Sequence, residues 1–548
     1  MLRFIAISGT TDVTENFYVY ENDTDMIVVD CGVGFPEPDM FGVDLVIPDF
    51  TYVKQNAKKL RAILISHGHE DHIGALPFLF KEINAPIYST KLVAGFIEDK
   101  FSDYGKMPDH VNIFNPERDV LSLGSFRVTP FRISHSVPDA VGFCIETSEG
   151  KIFHIPDFKF DWTPVDGRPF DVAKAALLSS NGALALVCDC LGATNPGYTQ
   201  SEIEIENRIE TIINGKKGQV FFTTISSNIS RMQQALNVAI RNNRKVAFIG
   251  RSIDRKAEIA RRLGYLHYPG DLVVPSKKLD KLSPEKVMYI ISGSYGQPGS
   301  ALDRVSLGEH EYLSIQEGDV VIFSSDPAPP GSRENVDAVV DRLIATGADV
   351  HYYDLQEDLH VSGHGSSEDI KMLFGLIKPK YFIPVGGTVR HMRAYQKLVE
   401  GTGRDPNKVF ELLPGESVEF SGGNARPGRR LSVKSVLVDG LGVGDVGNIV
   451  LRDRQALAED GMVIAMLKFD RVTKNIASDP ELISRGFVFE EKQKNLLDAA
   501  SSSLNQELSR RKTMDEKIIK NIAIDFLERY FYKQTARRPM ILPVIVEV

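Results

Sequence analysis

The feature that most constrains the fold is a histidine-rich segment, SHGHEDH, which follows directly on an apolar, strand-like run. It places three imidazoles and one carboxylate, those of His67, His69, Asp71 and His72, within six residues. Protein-bound zinc takes imidazole nitrogens and carboxylate oxygens, usually about four ligands at roughly 2.0–2.2 Å. In a tight loop beyond a strand, His67 and His69 can point at one ion while Asp71 and His72 turn towards a second. A solvated polar loop is the alternative, but it does not explain this clustering at ligand spacing.

Two further ligand candidates lie where later strands are expected to end. His135 follows the run FRVTPFRIS, and Asp157 follows KIFHIP. Taken alone, each is typical of a polar residue at the edge of a core. Two metals about 3.5–4 Å apart, bridged by one carboxylate, stabilise both oxygens of an in-line displacement, and Asp157 is our candidate for the bridge. His154 lies three residues earlier, and strand alternation predicts that it points to the other face.

The order of elements predicts an α/β protein with several domains. At 548 residues the chain is too long for one ordinary core, so three or four domain-sized units are expected. From about residue 202 strands alternate with helices, which is typical of a parallel or mixed sheet covered by helices. We also expect a helix at 73–83, a linker around 421–430 and a helical span at 490–530. The predicted strands are 26–32, 62–69, 85–90, 126–134, 219–225, 245–250, 288–296, 319–325 and 380–385.

Composition narrows the functional class. Hydrophobic residues make up 43% of the chain and charged residues 25%, the balance of a folded globular protein. The formal net charge of −9 argues against a protein that coats nucleic acid indiscriminately, but it allows a local basic channel. We find no apolar run of the roughly 18 residues needed to cross a bilayer and no secretory signal. With four cysteines, too few for a disulfide framework, these features predict a cytoplasmic protein without a membrane partner.

Several motifs together resemble the ribonuclease J family of the β-CASP branch of metallo-β-lactamase-fold nucleases. They are HGHEDHIGALPFL, SHSVPDAVG, PDFKFD, HVSGHGS and VLVDGLGVGDVGNIVLRDR. The resemblance implies a metallo-β-lactamase αββα sandwich interrupted by a β-CASP α/β domain, followed by a linker and a small C-terminal α/β domain. That last domain is used for oligomerisation, so a homodimer or homotetramer is expected. The implied boundaries are 1–200 and 355–425 for the sandwich, 201–354 for the β-CASP domain, 426–460 for the linker region and 461–548 for the C-terminal domain.

The resemblance also implies an activity and its residues. Family members degrade RNA in the 5′-to-3′ direction, cleave it internally as well, and usually prefer a 5′-monophosphate on a single strand. By position, one zinc would be held by His67, His69 and His135, the second by Asp71 and His72, with Asp157 between them, and Mn²⁺ or Mg²⁺ are alternative ions. The catalytic candidates are Asp71, Asp189 and His364. His364 is the candidate proton donor to the leaving oxygen, since an imidazole held by a carboxylate suits that role.

A second group of residues is expected to contact RNA phosphates. The glycine-rich loop 362–366 opens a predicted helix, where backbone N–H groups and serine hydroxyls can cradle a phosphate, although a serine N-cap explains the same residues. The segment 226–231 is similar to a β-CASP loop facing the substrate. Basic residues concentrate at 241–262, where a solvated helix face is the alternative to a cleft lining. The phosphate-contact candidates are Ser227, Asn228, Arg231, His360, Ser362, Gly363, His364, Gly365 and Ser366.

The chain departs from the family at one ligand position. Members usually carry PVHGE where this chain reads PVGGT, so Gly386 stands where the last histidine ligand is expected, and Thr388 replaces the glutamate. Glycine offers a metal no side chain, and His391, inside the following predicted helix, is not expected to reach. We therefore expect one or two zinc ions, with the second bound loosely and activity dependent on added Zn²⁺ or Mn²⁺.

Three functions stay open at this point. The first is a ribonuclease. The second is a weakly active or inactive subunit that binds RNA and assembles with an active paralogue, a reading that Gly386 favours. The third is a hydrolase of small esters or lactones, which the long insertion between the metal motifs argues against, because a small substrate needs no such clamp.

Overall fold

The structure is a computed structural model that describes residues 1–104, 108, 111–279, 281–326, 331–353, 359–440, 442–470, 472–473, 475–487, 490–510 and 515–548, with the backbone alone at 490–494. Contacts divide the chain into two compact units. The first comprises Met1–Phe35 and Leu45–Val436, and the second Pro36–Asp44 and Leu437–Val548. No helix among the described residues is both long enough and apolar enough to span a bilayer.

Two sheets form a sandwich in the first unit. In spatial order, the eight strands of the first sheet are Asn424–Pro427, Ser417–Ser421, Leu2–Ser8, Phe17–Glu21, Met26–Val29, Leu60–Leu64, Ile87–Ser89 and Val111–Ile113. The six strands of the second are Pro379–Val385, Ala183–Asp189, Gly150–Ile155, Val141–Thr147, Phe126–Arg132 and Leu121–Leu123. Apolar side chains of both sheets, such as Phe4, Val29, Phe143 and Val187, form one buried cluster, because each sheet presents an apolar face to the other.

Helices complete the αββα layers of the sandwich. Ser367–Ile377 and Val389–Gly401 bury Phe374 and Tyr395 in a second cluster with Phe153 of the second sheet. The other helices of the sandwich are Thr51–Gln55, Glu70–Ile73, Leu76–Leu79, Lys91–Ser102 and Val172–Leu178. The predicted sandwich fold is confirmed.

The β-CASP region has a separate parallel sheet. Its strands, in spatial order, are Lys245–Ile249, Val287–Ile291, Val220–Thr223, Val320–Phe323 and Asp349–His351. Its helices are Ile203–Ile213, Ile229–Arg241, Arg251–Leu263, Ser276–Leu279, Ala301–Ser306 and Ser332–Ala345. A buried cluster that includes Phe221, Tyr289 and Val340 fills this region, so the predicted alternation of strands and helices is confirmed.

The second unit has its own small sheet and core. The long strand Met462–Asp470 pairs antiparallel with Asn475–Ile476 and Glu481–Arg485, and parallel with Met540–Glu547. Val463, Leu467 and Leu527 belong to the core cluster of this unit. Its other elements are the strands Val436–Asp439 and Gly442–Val443 and the helices Asn448–Asp460, Glu490–Ser509 and Glu516–Thr535.

Every predicted strand is present, but most are shorter than the sequence pattern suggests. The strand expected at 62–69, for example, is Leu60–Leu64, so the metal-ligand candidates lie beyond its end. The single helix predicted at 73–83 is wrong. The chain forms two short helices instead, Glu70–Ile73 and Leu76–Leu79, and Pro77 lies in the first turn of the second, the position proline tolerates best.

The linker predicted around 421–430 is also wrong. The strands Ser417–Ser421 and Asn424–Pro427 form a hairpin. Gly422 and Gly423 join them with φ of 57° and 74°, the left-handed conformation that a two-residue hairpin turn requires. The region 426–460 likewise contains the helix Asn448–Asp460. Residues 511–514 of the predicted helical span, and the boundary predicted at 354–355, lie outside the described residues.

Candidate metal centre

Four side chains meet where strands of the two sheets end. His67 and His69 follow Leu60–Leu64, His135 follows Phe126–Arg132, and Asp157 follows Gly150–Ile155. One possible ligand atom from each lies within 4.8 Å of those of the others. Oδ2 of Asp157 is 3.6 Å from Nε2 of His67 and 3.6 Å from Nε2 of His135. His154 instead contacts the Tyr20 hydroxyl, 2.8 Å from Nδ1, in the core between the sheets.

A second group of possible ligands shares Asp157 with the first. It consists of Asp71, His72 and Asp157. Nε2 of His72 is 3.5 Å from Oδ2 of Asp71 and 3.4 Å from Oδ2 of Asp157. One carboxylate therefore lies between two sets of donors, the arrangement that a bridged pair of ions requires.

The chemistry of this donor set fits a divalent cation. Burial lowers the pKa of His69 to about 3 and that of His135 to about 3, and it holds the pKa of His67 well below its ordinary value. These imidazoles are therefore neutral, the state in which a ring nitrogen can bind a metal. Nε2 of His67 is buried and has no hydrogen-bond partner. Such an orphaned polar atom is costly in a core, and a cation would satisfy it.

Residues outside the donor set orient the imidazoles, and sequence reasoning missed them. The buried carboxylate of Asp30 lies 2.8 Å from Nδ1 of His72, and it accepts hydrogen bonds from the backbone N–H and the hydroxyl of Ser66. The Ser66 hydroxyl is 3.0 Å from Nδ1 of His67. Each contact directs Nε2 towards Asp157. The sequence did contain one indication of Asp30, since it is the acidic residue directly after the buried strand in MIVVDCG.

Asp189 and His364 form a pair beside the first two groups, and with Asp157 they are a third group of possible ligands. Nδ1 of His364 is 2.8 Å from Oδ2 of Asp189, and its Nε2 is 3.9 Å from Oδ2 of Asp157. Burial would lower the pKa of His364, but the carboxylates of Asp189 and Asp157 raise it to about 9. The sequence placed these two residues 175 positions apart, and the structure brings them together.

Gly386 borders both this pair and the bridging carboxylate. It follows the strand Pro379–Val385, and a β-carbon built on it would lie 3.6 Å from Oδ1 of Asp189 and 3.9 Å from Oδ1 of Asp157. A side chain at this position would therefore enter the site, and glycine leaves that side open. His391 does not replace it, because its Nδ1 accepts the Thr388 N–H at 3.1 Å and caps its own helix.

The phosphate cradle predicted for the loop 362–366 is wrong for its second half. Ser366 is the N-cap of the helix Ser367–Ile377 and forms a capping box with Asp369. The backbone N–H groups of residues 364–368 all have acceptors within the protein, which are Ser362 Oγ, Phe158 O, Thr199 Oγ1 with Asp369 Oδ2, Asn195 O and Gly197 O. Gly363 supplies a carbonyl oxygen 2.8 Å from Nδ1 of His135. No backbone donor from His364 onwards in this turn is left for a phosphate.

The phosphate contact predicted for Arg231 is wrong as well. Arg231 is fully buried, and its guanidinium donates to Glu202, at 2.6 Å, and to the backbone carbonyl of Leu359. Asn228 caps the helix Ile229–Arg241 by accepting the Arg231 N–H, and Ser227 is buried. For His360, burial lowers the pKa to about 3, and its contact with RNA stays a prediction.

Much of the basic run 241–262 forms structural contacts rather than a cleft lining. Arg244 donates to the carbonyls of Gly218 and Val287. Arg255 and Lys256 pair with acidic residues of the sandwich. Neither the cleft nor the solvated face describes Arg255 and Lys256, because their helix, Arg251–Leu263, packs against the helix Lys91–Ser102. Three other basic residues of this helix, Arg251, Arg261 and Arg262, are exposed, as the solvated face predicts.

The topology and the site together define a class of protein. The strands Ala183–Asp189 and Pro379–Val385 are parallel neighbours in one sheet, and the chain between them builds a separate parallel sheet. A sandwich with a His/Asp cluster at its strand ends and an α/β insertion at this point is a metallo-β-lactamase fold with a β-CASP domain. Family models agree and match the metallo-beta-lactamase superfamily at 10–177, the ribonuclease J beta-CASP domain at 217–343, the Zn-dependent metallo-hydrolase RNA specificity domain at 355–410 and the ribonuclease J C-terminal domain at 449–548.

The chain belongs to the ribonuclease J family. It is 37% identical to ribonuclease J2 of Bacillus subtilis (strain 168) over 552 aligned positions, which cover 100% of this chain and 99% of that protein. It is 34% identical to ribonuclease J 2 of Staphylococcus aureus (strain MRSA252), over 100% of this chain and 98% of that protein. A solved structure of a protein of unknown function from Enterococcus faecalis V583 superposes with a TM-score of 0.53 at 14% identity, covering 76% of this chain and 99% of that one, and shows the fold alone.

Proposed function

We propose that this protein is a zinc-dependent ribonuclease that hydrolyses phosphodiester bonds of single-stranded RNA in the cytoplasm. Its substrates would be 5′-monophosphorylated strands, degraded 5′-to-3′ and also cleaved internally. The observation that carries the proposal is Asp157, which lies between two sets of possible metal ligands and beside the Asp189–His364 pair. The names of the relatives and the RNA specificity model support RNA as the substrate.

Each residue of the site has a part in this chemistry. His67, His69, His135 and Asp157 would hold the first ion, and Asp71, His72 and Asp157 the second. A bound divalent cation supplies Lewis acidity and makes a water molecule nucleophilic near neutral pH. Asp189 holds His364 through Nδ1, so that the proton on Nε2 points towards Asp157 and can be given to the leaving oxygen.

The second ion would be held loosely. The described residues give it two ligands besides the shared Asp157, and Gly386 contributes none. Zinc sites are usually four-coordinate, so water or a substrate oxygen would have to complete this one. We expect activity to depend on added Zn²⁺ or Mn²⁺.

The test uses the full-length chain and a 5′-monophosphorylated, single-stranded RNA labelled at its 3′ end, with and without added Mn²⁺ or Zn²⁺. We expect metal-dependent loss of full-length RNA, with shortening from the 5′ end, and no cleavage by His67→Ala. His267→Ala, which changes an exposed histidine of the β-CASP region, is the matched control and should cleave normally. Cleavage that is indifferent to chelators and survives in His67→Ala would contradict the proposal.

Gly386 favours a second candidate, a weakly active or inactive subunit that binds RNA and assembles with an active paralogue. In the same assay such a subunit would bind the RNA but leave it intact at every metal concentration. Light scattering on the purified chain would show whether it forms a dimer or tetramer by itself.

A further inference from the structure

Glu70 lies inside the histidine-rich segment, between the ligand candidates His69 and Asp71, yet it belongs to neither group of ligands. Each of its carboxylate oxygens is bound by a different lysine. Nζ of Lys100 is 2.7 Å from Oε2, and Nζ of Lys256 is 3.1 Å from Oε1. Lys100 is in the sandwich helix Lys91–Ser102, whereas Lys256 is in the β-CASP helix Arg251–Leu263. The β-CASP domain thus contacts the metal-binding loop directly.

In this contact the Glu70 side chain is half-buried, whereas Lys256 is buried. The residue is only 4% exposed, and its ammonium group also lies 5.4 Å from the centre of the Phe96 ring. That ring packs on Gly68, where a β-carbon would come within 2.7 Å of it. Glu70 keeps Lys100 as a partner when Lys256 is removed, so what Lys256 adds is the link between Glu70 and the β-CASP helix. Lys256 therefore contacts both Glu70 and the ring that supports the loop.

The loop needs such support, because its own secondary structure is minimal. The helix that begins at Glu70 is four residues long. A helix this short does not form alone, since the first turn fixes several residues for one hydrogen bond. The Glu70 carbonyl accepts the N–H groups of Val33, at 3.1 Å, and Gly74, at 2.7 Å, so the backbone at Glu70 joins the loop to its neighbours.

We propose that Lys256 is a positioning residue through which the docked β-CASP domain holds the loop His67–His72 in its metal-binding conformation. Metal affinity then depends on this one contact from the docked domain, and a bound metal stabilises the contact in return, because coupling between two equilibria is reciprocal. The inference rests on the proposed metal dependence of the enzyme.

A second chain of buried ion pairs joins the β-CASP domain to the loop that carries Asp157. Lys159, two residues after Asp157, has its Nζ 3.2 Å from Oε1 of Glu202, and Arg231 of the β-CASP domain binds Oε2 of the same carboxylate at 2.6 Å. Both ligand-bearing loops therefore contact a cation–carboxylate pair that reaches the inserted domain.

The variant that tests the proposal is Lys256→Met, and its matched control is Arg255→Met. Arg255 is the preceding residue on the same helix and pairs with Asp99 and Asp103, which lie outside the metal-binding loop. Zn²⁺ affinity is measured by competition with a chromophoric chelator, without any activity assay. We expect Lys256→Met to weaken binding about 10-fold, as the loss of a contact behind metal ligands typically does. Arg255→Met should bind Zn²⁺ as the unmodified protein does.

Two further variants distinguish the loss of the Lys256–Glu70 ion pair from a general disturbance of the fold. Glu70→Gln should weaken Zn²⁺ binding by itself, and adding Lys256→Met to it should cause little further loss, because the two residues act through one contact. Lys256→Arg keeps the charge and should recover part of the affinity.

Hydrogen exchange of the backbone amides of residues 67–73 in metal-free protein gives a readout that needs no metal. Lys256→Met should exchange faster there than Arg255→Met. Equal Zn²⁺ affinity and equal exchange in the two variants would overturn the inference, as would equal losses in both. If the unmodified protein binds no metal, the proposed function fails, and the exchange comparison still decides the role of Lys256 in ordering the loop.

Discussion

The two halves of the metal centre share Asp157 but differ in how complete they are. The first has three histidines besides the shared carboxylate, which suffices for a tetrahedral zinc site. The second has only Asp71 and His72 besides Asp157, and Gly386, which borders Asp157, offers no side chain. The two halves do not differ in the hydrogen bonds that orient their histidines. Asp30 lies 2.8 Å from Nδ1 of His72, and the Gly363 carbonyl lies 2.8 Å from Nδ1 of His135. In the proposed centre, the deficit is thus one side chain at the end of the strand Pro379–Val385.

The largest effect is expected where the halves meet. Asp157→Asn removes the carboxylate charge that both groups of ligands share, so we expect RNA cleavage to fall by about 1,000-fold or more. Metal analysis should show weaker retention of the one ion that the unmodified protein is expected to keep, since both groups of ligands lose the anion that they share. Thermal melting must show a folded variant. Normal cleavage by a folded Asp157→Asn would mean that the two halves do not share this residue in function.

Gly386→His should make the two halves of the centre equal in their number of ligands. A histidine there can supply the fourth donor, and we expect the Mn²⁺ or Zn²⁺ concentration for half-maximal cleavage to fall by about 10–100-fold. Gly386 has a φ of 66°, so any side chain adds strain of about 1 kcal/mol. Gly386→Ala has the same strain without a ligand and is the control. If both variants respond alike to metal, the missing imidazole is not the cause of weak binding.

Asp30→Asn weakens the hydrogen bond that orients His72 in the second half of the centre. Because Asp30 bonds His72 and Ser66, we expect metal affinity to fall about 10-fold, chiefly at the second position. Asp23→Asn, an exposed carboxylate seven residues earlier, should leave affinity unchanged. Competition with a chelator measures both. An equal loss at the two positions would show that Asp30 supports the whole centre through Ser66.

The smallest effect is expected in the turn behind His364. Ser366→Ala removes an N-cap and should lower stability by about 1 kcal/mol, which a denaturant titration can measure. The preference for a 5′-monophosphate over a 5′-hydroxyl should not change, because the N–H groups of this turn already have acceptors. A lost preference would restore Ser366 as a phosphate contact.

The six candidate ligands that the structure brings together could be chosen from the sequence, because each lies in a recognisable local pattern. Three histidines and a carboxylate stand in one loop, and His135 and Asp157 follow recognisable strands. The missing histidine ligand could also be predicted from the sequence, because Gly386 replaces it in the motif PVGGT. Asp30 was not proposed, because a single acidic residue after a buried strand has no distinctive spacing.

The phosphate contacts predicted for Arg231 and for the second half of the loop 362–366 failed for a different physical reason. Arg231 and the N–H groups of residues 365–368 are donors with partners far away in sequence, namely Glu202, Leu359, Phe158 and the segment 195–199. A donor looks free in a sequence until the fold shows what packs against it. The error at the predicted linker has a local cause. Two adjacent glycines, Gly422 and Gly423, are typical of a two-residue hairpin turn, and the sequence interpretation did not use this signal.

The central claim is tested most directly by counting zinc ions per chain after exhaustive dialysis, in the unmodified protein and in Gly386→His. Inductively coupled plasma mass spectrometry gives the count. We expect about one retained ion in the unmodified protein and about two in Gly386→His, because only the variant completes the second set of ligands. Two tightly retained ions in the unmodified protein would contradict the loose second site, and none in either protein would contradict a metal centre altogether.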